Sequence, residues 1–318
     1  MSSQAAEKFH PSKKISIVTT LYRSQLYVVE FHRQACLACQ ALVGDEFEIV
    51  YVVDGCPEGS LEVALTVMQS DCRVRIVDLS RNFGQHKAIM TGLAYSEGQS
   101  VFLIDSDLEE DPDWIRQFHS AMVASQSDVT YGVQRRRKGG AMEVVSGNLF
   151  YLVLRFLSDV QYPPNIVTAR LMSRRYVNAL LQHREREVFI GGLWFITGFS
   201  QIGVPVDKRS NDSSSYTLWR RFRLVSTAIL SFSTLPLTLI LVVGLMIAGM
   251  SALYILWQLV TWFRSESVVT GWATVIASIW LLGGLTITFL GVIGAYIGTI
   301  FAEVKQRPYT IVRAVHGN

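Results

Sequence analysis

An apolar run ends in a group of carboxylates at Val101-Phe-Leu-Ile-Asp105-Ser-Asp-Leu-Glu-Glu-Asp111. The apolar half is typical of a short buried strand. Carboxylates packed this closely repel one another unless a cation neutralises them, and Mg²⁺ is typically held by one or two carboxylates together with substrate phosphates. The segment therefore predicts a strand that ends at a divalent-cation site. A solvated acidic loop before the next helix, whose first turn favours acids, fits the same spacing equally well.

Strands and helices alternate around this segment. Strands are predicted at 14–20, 47–53, 73–79, 101–104 and 128–133, with helices at 25–42, 60–69, 87–96 and after Asp113. This order is typical of an α/β fold with a mostly parallel sheet covered on both faces. Ligands of such sheets bind beyond the carboxyl ends of the strands. We expect one crevice at these ends, lined by Thr19, Thr20, Asp54, Ser80, Arg81, Asn82, Asp105 and Asp107.

The turn Ser80-Arg-Asn-Phe-Gly-Gln-His-Lys87 is a second candidate site, because it follows a predicted strand and opens a helix. A helix N-terminus with glycine and basic residues can hold a phosphate. An ordinary strand-to-helix turn has a similar sequence, so the two interpretations stay open. The segments that mark P-loop NTPases, serine hydrolases, zinc proteases and dinucleotide dehydrogenases are absent. Cys36 and Cys39 lie on an amphipathic pattern with no second ligand pair, which favours buried thiols over half a zinc site.

The C-terminal part of the chain is apolar. Charged residues make up 17% of the chain, against about 25% in soluble domains, and 224–263 and 267–302 contain none. About 20 apolar residues cross a bilayer, so each stretch predicts one span. Basic residues flank both outer ends, and 1–14 has no apolar signal region, so the head and both termini are expected in the cytoplasm of a multi-pass inner-membrane protein. A net charge of +3 gives no indication of nucleic-acid binding.

Together these motifs resemble those of family 2 glycosyltransferases with the GT-A fold. They most resemble polyprenyl-phosphate glycosyltransferases, the group of dolichyl-phosphate mannose synthase, GtrB and ArnC. The resemblance covers nearly the whole chain and rests on Ser80–Leu93, Asp105-Ser-Asp-Leu108, Asn165 with Arg170-Leu-Met172, and Gly291–Gly298 with Glu303–Pro308. It implies a GT-A domain at 1–217, an interfacial amphipathic helix at 218–234, transmembrane helices at 235–263 and 270–300, and a cytosolic tail at 301–318.

The resemblance also implies an activity and its site. The reaction is inverting transfer of a sugar from a nucleotide diphosphate, usually UDP, to a polyprenyl phosphate such as undecaprenyl phosphate, with Mg²⁺ or Mn²⁺, in a homo-oligomer expected to be a tetramer. The nucleotide-binding residues would be Thr20, Leu21, Tyr22, Asp54, Asn82, Gly84, Lys87, Asp105 and Ser106. The catalytic residues would be Asp105, Asp107 and Arg209, and the metal ligands Asp107 and Glu109. The acceptor phosphate would contact Arg135, Arg137, Ser146 and Arg170.

The chain departs from the family pattern at five positions. Glu109 replaces Gln, Thr168 replaces Asp, Asp212 replaces Gly, Ser215 replaces Lys, and Glu143 stands near an expected basic residue. The aspartate missing at 168 is not required as a base, because a phosphomonoester is largely dianionic at neutral pH. Two alternatives remain: a processive polysaccharide synthase, although the Q-x-x-R-W motif is absent, and a non-catalytic nucleotide-binding membrane scaffold.

Overall fold

The computed structural model describes residues 13–135, 163, 165–185, 188–209, 235–264 and 271–317. The interfacial helix predicted at 218–234 lies outside the described residues, as do Arg137, Ser146 and three of the departures, Glu143, Asp212 and Ser215.

The described chain folds into eight strands and eight helices. The strands are β1 (Ile15–Leu21), β2 (Phe47–Val53), β3 (Val74–Leu79), β4 (Ser100–Leu103), β5 (Val129–Gln134), β6 (Ile166–Ser173), β7 (Gln201–Val206) and β8 (Val312–His316). The helices are α1 (Val28–Val43), α2 (Ser60–Ser70), α3 (Gln85–Tyr95), α4 (Trp114–Ser125), α5 (Arg174–Leu180), α6 (Ile190–Ile196), α7 (Leu235–Arg264) and α8 (Trp272–Val304). The predicted strands and helices of the N-terminal half are confirmed, with small shifts at their ends.

All eight strands form one sheet in the order β7-β5-β6-β4-β1-β2-β3-β8. The central strands β4, β1, β2 and β3 run parallel, and β6 and β8 pair antiparallel with the two outer members of that group. Residues of α1, α2 and α4 cover one face, and residues of α3, α5 and α6 cover the other. The prediction of an α/β fold with a mostly parallel sheet is therefore confirmed. Because the parallel strands share one direction, their carboxyl ends meet at the same edge.

The segment predicted as a cytosolic tail contributes the edge strand β8. The backbone N–H of Ser80 donates to the carbonyl of Ile311 at 2.9 Å, and the hydroxyls of Thr91 and Thr310 lie 2.8 Å apart. These contacts, together with the β3–β8 pairing, attach the chain that follows α8 to the sheet. The end of α8 is thereby held against the N-terminal region.

Two apolar helices, α7 and α8, occupy the positions of the two predicted spans. Within the part of the chain that the structure describes, one segment, Leu281–Val304, is long and apolar enough to cross a membrane, and Leu237–Ile247 is a shorter apolar segment. One candidate span is shown in this way, and a two-span topology remains a prediction.

Cys36 and Cys39 lie on α1 as free thiols, half-buried and buried. Cys36, His32 and Asp71 form the one described group of three possible metal ligands whose atoms lie within 4.8 Å of one another. Arg73 already neutralises Asp71, with Nη2 2.8 Å from Oδ2, and burial raises the pKa of Cys36 to about 12. These contacts favour a hydrogen-bonded cluster over a metal centre.

Candidate active site

A cavity of about 410 Å³ opens where the carboxyl ends of β1, β2 and β4 meet. Each of these strands, and the turn after β3, contributes polar side chains to its wall. The lining residues are Thr20, Tyr22, Ser24, Asp54, Asn82, Gly84, Gln85, Asp105, Ser106, Asp107, Glu109 and Lys208. The crevice expected at this edge therefore exists, although Thr19, Ser80 and Arg81 do not line it.

Asp54 fixes the turn between β3 and α3. Its carboxylate accepts the backbone N–H of Phe83 at 2.7 Å and that of Gly84 at 2.9 Å. Burial raises the pKa of Asp54, and these two hydrogen bonds act in the opposite direction. Both carboxylate oxygens are thus engaged with the backbone, so the residue shapes the cavity wall at the N-terminus of α3.

Gly55 allows β2 and this turn to approach closely. Its φ is +56°, and a Cβ atom there would lie 2.2 Å from the backbone atoms C of Arg81 and N of Asn82. Replacing Gly55 by alanine should therefore lower the free energy of unfolding by about 2 kcal/mol, because the backbone of the turn must shift. Thermal unfolding of the purified variant measures this effect.

Gly59 provides the matched control for this substitution. Its φ of +73° is also positive, but the nearest atoms to an added Cβ lie at 3.6 Å, in ordinary contact. Gly59→Ala should show the cost of the backbone conformation alone. Equal losses in the two variants would show that the close approach at Gly55 has no effect of its own.

The acidic segment after β4 forms another part of the cavity wall. The pKa of Asp105 is raised overall, because the effects of burial and of the charge of Asp107 exceed the opposing effects of its other neighbours. Hydrogen bonds from Thr168 and Gln85 and the charge of Lys208 act to lower this pKa. Burial and the nearby Glu109 likewise raise the pKa of Asp107. Gln85 Nε2 donates to Asp105 Oδ1 at 2.9 Å, and the backbone N–H of Glu109 donates to Asp107 Oδ1 at 3.0 Å. A bound cation would stabilise the charged form of these carboxylates.

Lys208, which follows strand β7, supplies one such positive charge. Its Nζ lies 3.0 Å from Glu109 Oε2 and 3.9 Å from Glu110 Oε1. Burial acts to lower the pKa of Lys208, but Glu110, Glu109 and Asp105 raise it overall. Glu110 is fully buried, its pKa is raised to about 8 by burial and by Asp105, and it accepts the backbone N–H of Thr168 at 2.9 Å.

The donor set fits a hard divalent cation. Asp107 and Glu109 both line the cavity with carboxylate oxygens, the ligand type that Mg²⁺ and Mn²⁺ prefer. No group of three acids among the described cavity residues has its oxygens within 4.8 Å of one another. That spacing suits an ion held by one or two carboxylates plus the phosphates of a ligand, rather than a cage made of protein alone.

Comparison with known proteins identifies the family of this cavity-bearing domain. The model of glycosyl transferase family 2 matches residues 16–181. A protein of Mycobacterium tuberculosis named as a glycosyltransferase is 42% identical over 305 residues, covering 96% of this chain and 89% of that protein. The chain belongs to glycosyl transferase family 2.

Two further relatives of this family 2 glycosyltransferase cover almost all of both chains. The uncharacterized glycosyltransferase YkcC of Bacillus subtilis is 32% identical over 95% of this chain and 94% of its own. The prophage-derived bactoprenol glucosyl transferase of Shigella flexneri is 29% identical over 95% of this chain and 98% of its own. The similarity therefore includes the apolar helices as well as the sheet.

Most of the residues predicted for the site of this family 2 glycosyltransferase line the same cavity, the one at the carboxyl ends of β1, β2 and β4. They are Thr20, Tyr22, Asp54, Asn82, Gly84, Asp105, Ser106, Asp107 and Glu109. Arg209 lies beside it, where its backbone N–H donates to the Glu109 carbonyl and its guanidinium contacts Asp111 at 2.7 Å. The structure thus brings these predicted residues together, and the role of each stays a prediction.

Three predicted residues are placed elsewhere. The side chain of Leu21 is buried in the core, and its carbonyl accepts the Asp54 N–H at 3.1 Å, so it does not line the cavity. Lys87 lines a different cavity. Arg170 is wholly buried, donates to the carbonyls of Thr168 and Val167, and lies against the Trp194 ring. Because its side chain is buried, Arg170 is not exposed to an acceptor phosphate, which contradicts the predicted contact.

Arg135, also predicted for the acceptor, is exposed at the end of β5 and lies 3.9 Å from Asp207. Three residues that line the cavity were not assigned to the site from the sequence: Ser24, Gln85 and Lys208. Ser24 and Ser106 join through their hydroxyls at 3.1 Å, which connects the end of β1 to the acidic segment. Gln85 could have been predicted from the sequence, because it lies in the turn Ser80–Lys87 that was already a candidate site.

Proposed function

We propose that this family 2 glycosyltransferase transfers a sugar from a nucleoside-diphosphate sugar, with UDP as the nucleotide, to a polyprenyl phosphate such as undecaprenyl phosphate. The product is a lipid-linked monosaccharide for modification of cell-envelope glycans. The observation that carries the proposal is the cavity in which Asp105, Asp107 and Glu109 face the N-terminus of α3.

The two walls of the cavity suit a diphosphate. The positive end of a helix dipole favours anions, and Gly84 and Gln85 bring the start of α3 to the cavity. The carboxylates of the same cavity repel a diphosphate unless a divalent cation neutralises them. Asp107 and Glu109 would hold Mg²⁺ or Mn²⁺, which stabilises the negative charge of a departing nucleoside diphosphate.

The lipid acceptor is inferred from two independent features. The relative from Shigella flexneri is named a bactoprenol glucosyl transferase and matches 95% of this chain, and Leu281–Val304 is apolar and long enough to cross a membrane. We infer two spans, α7 and α8, with the sheet and both termini in the cytoplasm, and a homo-oligomer, a tetramer by resemblance.

The protein's part in the reaction is chiefly positioning. The phosphate oxygen of the lipid forms a bond to the anomeric carbon as the bond from that carbon to the diphosphate breaks, with inversion. A dianionic phosphomonoester loses no proton in this step, so a base at Thr168 is not needed. Asp54 orders the turn at α3, and Arg209 is held near the acidic segment by Asp111, so both preserve the geometry of the cavity.

The test is nucleotide release by the full-length protein in mild detergent. With Mn²⁺ and a panel of UDP-sugars, one donor should release UDP only when undecaprenyl phosphate is present, and the lipid should gain one sugar. A polymer product would indicate a processive synthase instead. UDP binding without release from any nucleotide-sugar would contradict the proposal and favour a scaffold. Light scattering of the same sample tests the oligomer, and a monomeric mass would contradict that part.

A further inference from the structure

A second cavity, of about 360 Å³, lies on the other side of the turn between β3 and α3. Four of the residues that line it are basic: Arg81, Lys87, Lys305 and Arg307. The rest are aromatic or apolar, and no carboxylate is among the described residues of its wall. We call these four residues and the space between them the basic pocket. A cavity with this lining favours an anion that is attached to an apolar group.

The basic pocket joins the sheet domain to the end of α8. Arg81 and Lys87 come from the β3–α3 turn, while Lys305 and Arg307 directly follow α8. The two sides are held together because Ser80 is hydrogen-bonded to both Ile311 and Arg313, each at 2.9 Å. If the apolar segment Leu281–Val304 of α8 crosses a membrane, the pocket adjoins the end of that span, where a lipid headgroup would be expected.

Ring contacts orient two of the cations. The Arg81 guanidinium lies 4.2 Å from the centre of the Phe83 ring, and Lys305 Nζ lies 4.0 Å from that of Phe301. Arg and Lys side chains form strong charge-assisted hydrogen bonds to phosphates. A phosphomonoester carries a charge of about −1.5 to −2 at neutral pH, whereas a phosphodiester headgroup carries a single charge. Four cations around one pocket favour the monoester.

The basic pocket and the active-site cavity share the turn as a common wall. Asn82, Gly84 and Gln85 face the active-site cavity, whereas Arg81, Phe83 and Lys87 line the basic pocket. We propose that the basic pocket captures the phosphate of a polyprenyl phosphate as it leaves the membrane. This inference rests on the proposed function for the identity of the lipid, and it assigns Lys87 to the acceptor rather than to the nucleotide.

The first experiment measures binding without any sugar donor. Farnesyl phosphate, farnesol, short-chain phosphatidylglycerol and inorganic phosphate are titrated by calorimetry into the full-length protein in maltoside micelles. The wild type should bind farnesyl phosphate at least about tenfold more tightly than the other three probes. Equal affinity for phosphatidylglycerol would indicate a general anionic-lipid surface, and equal affinity for inorganic phosphate a free-phosphate site. Either result would overturn the proposal.

The variant Lys305→Gln/Arg307→Gln tests the residues, because both side chains are exposed and tolerate replacement. It should weaken farnesyl phosphate binding about tenfold or more. The control Lys14→Gln/Arg116→Gln removes the same charge from two exposed ion pairs elsewhere, Lys14–Glu46 and Arg116–Asp113, and should bind as the wild type does. Equal weakening in both variants would show a net-charge effect and overturn the assignment.

The second experiment separates this inference from the proposed function. In the transfer assay, Lys305→Gln/Arg307→Gln should raise the KM for undecaprenyl phosphate and leave the KM for the nucleotide-sugar unchanged. If the KM for the lipid is unchanged in this variant, the assignment of the basic pocket is wrong, although the transfer activity itself is supported. If farnesyl phosphate binding depends on Lys305 and Arg307 but no donor gives transfer, the assignment of the basic pocket is supported and the proposed function is contradicted.

Discussion

Replacing Asp107 by asparagine should lower metal-dependent sugar transfer by roughly 10²–10³-fold with little change in folding. Asp107 is half-buried in the cavity wall, and burial and the charge of Glu109 raise its pKa, so its charge lacks full compensation until a cation binds. Asparagine keeps an oxygen that can accept the Glu109 N–H, which preserves the segment. The measurement is kcat as a function of Mn²⁺ concentration, with half-saturation expected at higher Mn²⁺ in the variant.

Two other variants make this result specific. Asp113→Asn removes an exposed carboxylate that pairs with Arg116 at the start of α4, and its activity should equal that of the wild type. Glu109→Gln introduces the residue that the family resemblance leads one to expect, and the loss should stay below about tenfold because Asp107 still supplies a charged ligand. Full metal-dependent turnover by Asp107→Asn would show that the metal assignment is wrong.

The parallel part of the sheet and the acidic wall of the cavity follow from local sequence. Apolar runs that end in polar residues predict strands whose carboxyl ends meet, and Asp54 and Asp105 were predicted at one crevice for that reason. The pattern is strong because the central strands are buried on both faces. Strand β2 is fully buried along its length.

The remaining parts of the fold and site depend on pairings between distant segments. Lys208 reaches the acids because β7 pairs with β5, and nothing in its own neighbourhood indicates this. Strand β8 has exposed side chains at alternate positions and follows an apolar helix, so its sequence reads as a tail. Arg170 was predicted at the acceptor phosphate from the family resemblance, but it is wholly buried, where carbonyl groups and a ring accommodate it.

Replacing Asp54 by asparagine should lower the free energy of unfolding by about 3 kcal/mol and the affinity for UDP about tenfold. The carboxylate accepts two backbone N–H groups, from Phe83 and Gly84. An amide has one oxygen, so one N–H would face an NH₂ group and lose its acceptor in a buried place. The turn that separates the active-site cavity from the basic pocket would then shift, which is why binding falls together with stability.

Thermal unfolding and UDP titration on the same sample distinguish two roles for Asp54. If the residue acts through the turn, Asp54→Asn should lower the Tm by roughly 5–10 °C as the Kd for UDP rises. If it contacts the nucleotide directly, as the family resemblance implies, the Kd should rise while the Tm stays unchanged, and the structural interpretation would be wrong. Asp45→Asn is the control: Asp45 is 84% exposed, and its contacts with Arg73 and Gln40 lie at the surface, so neither quantity should change.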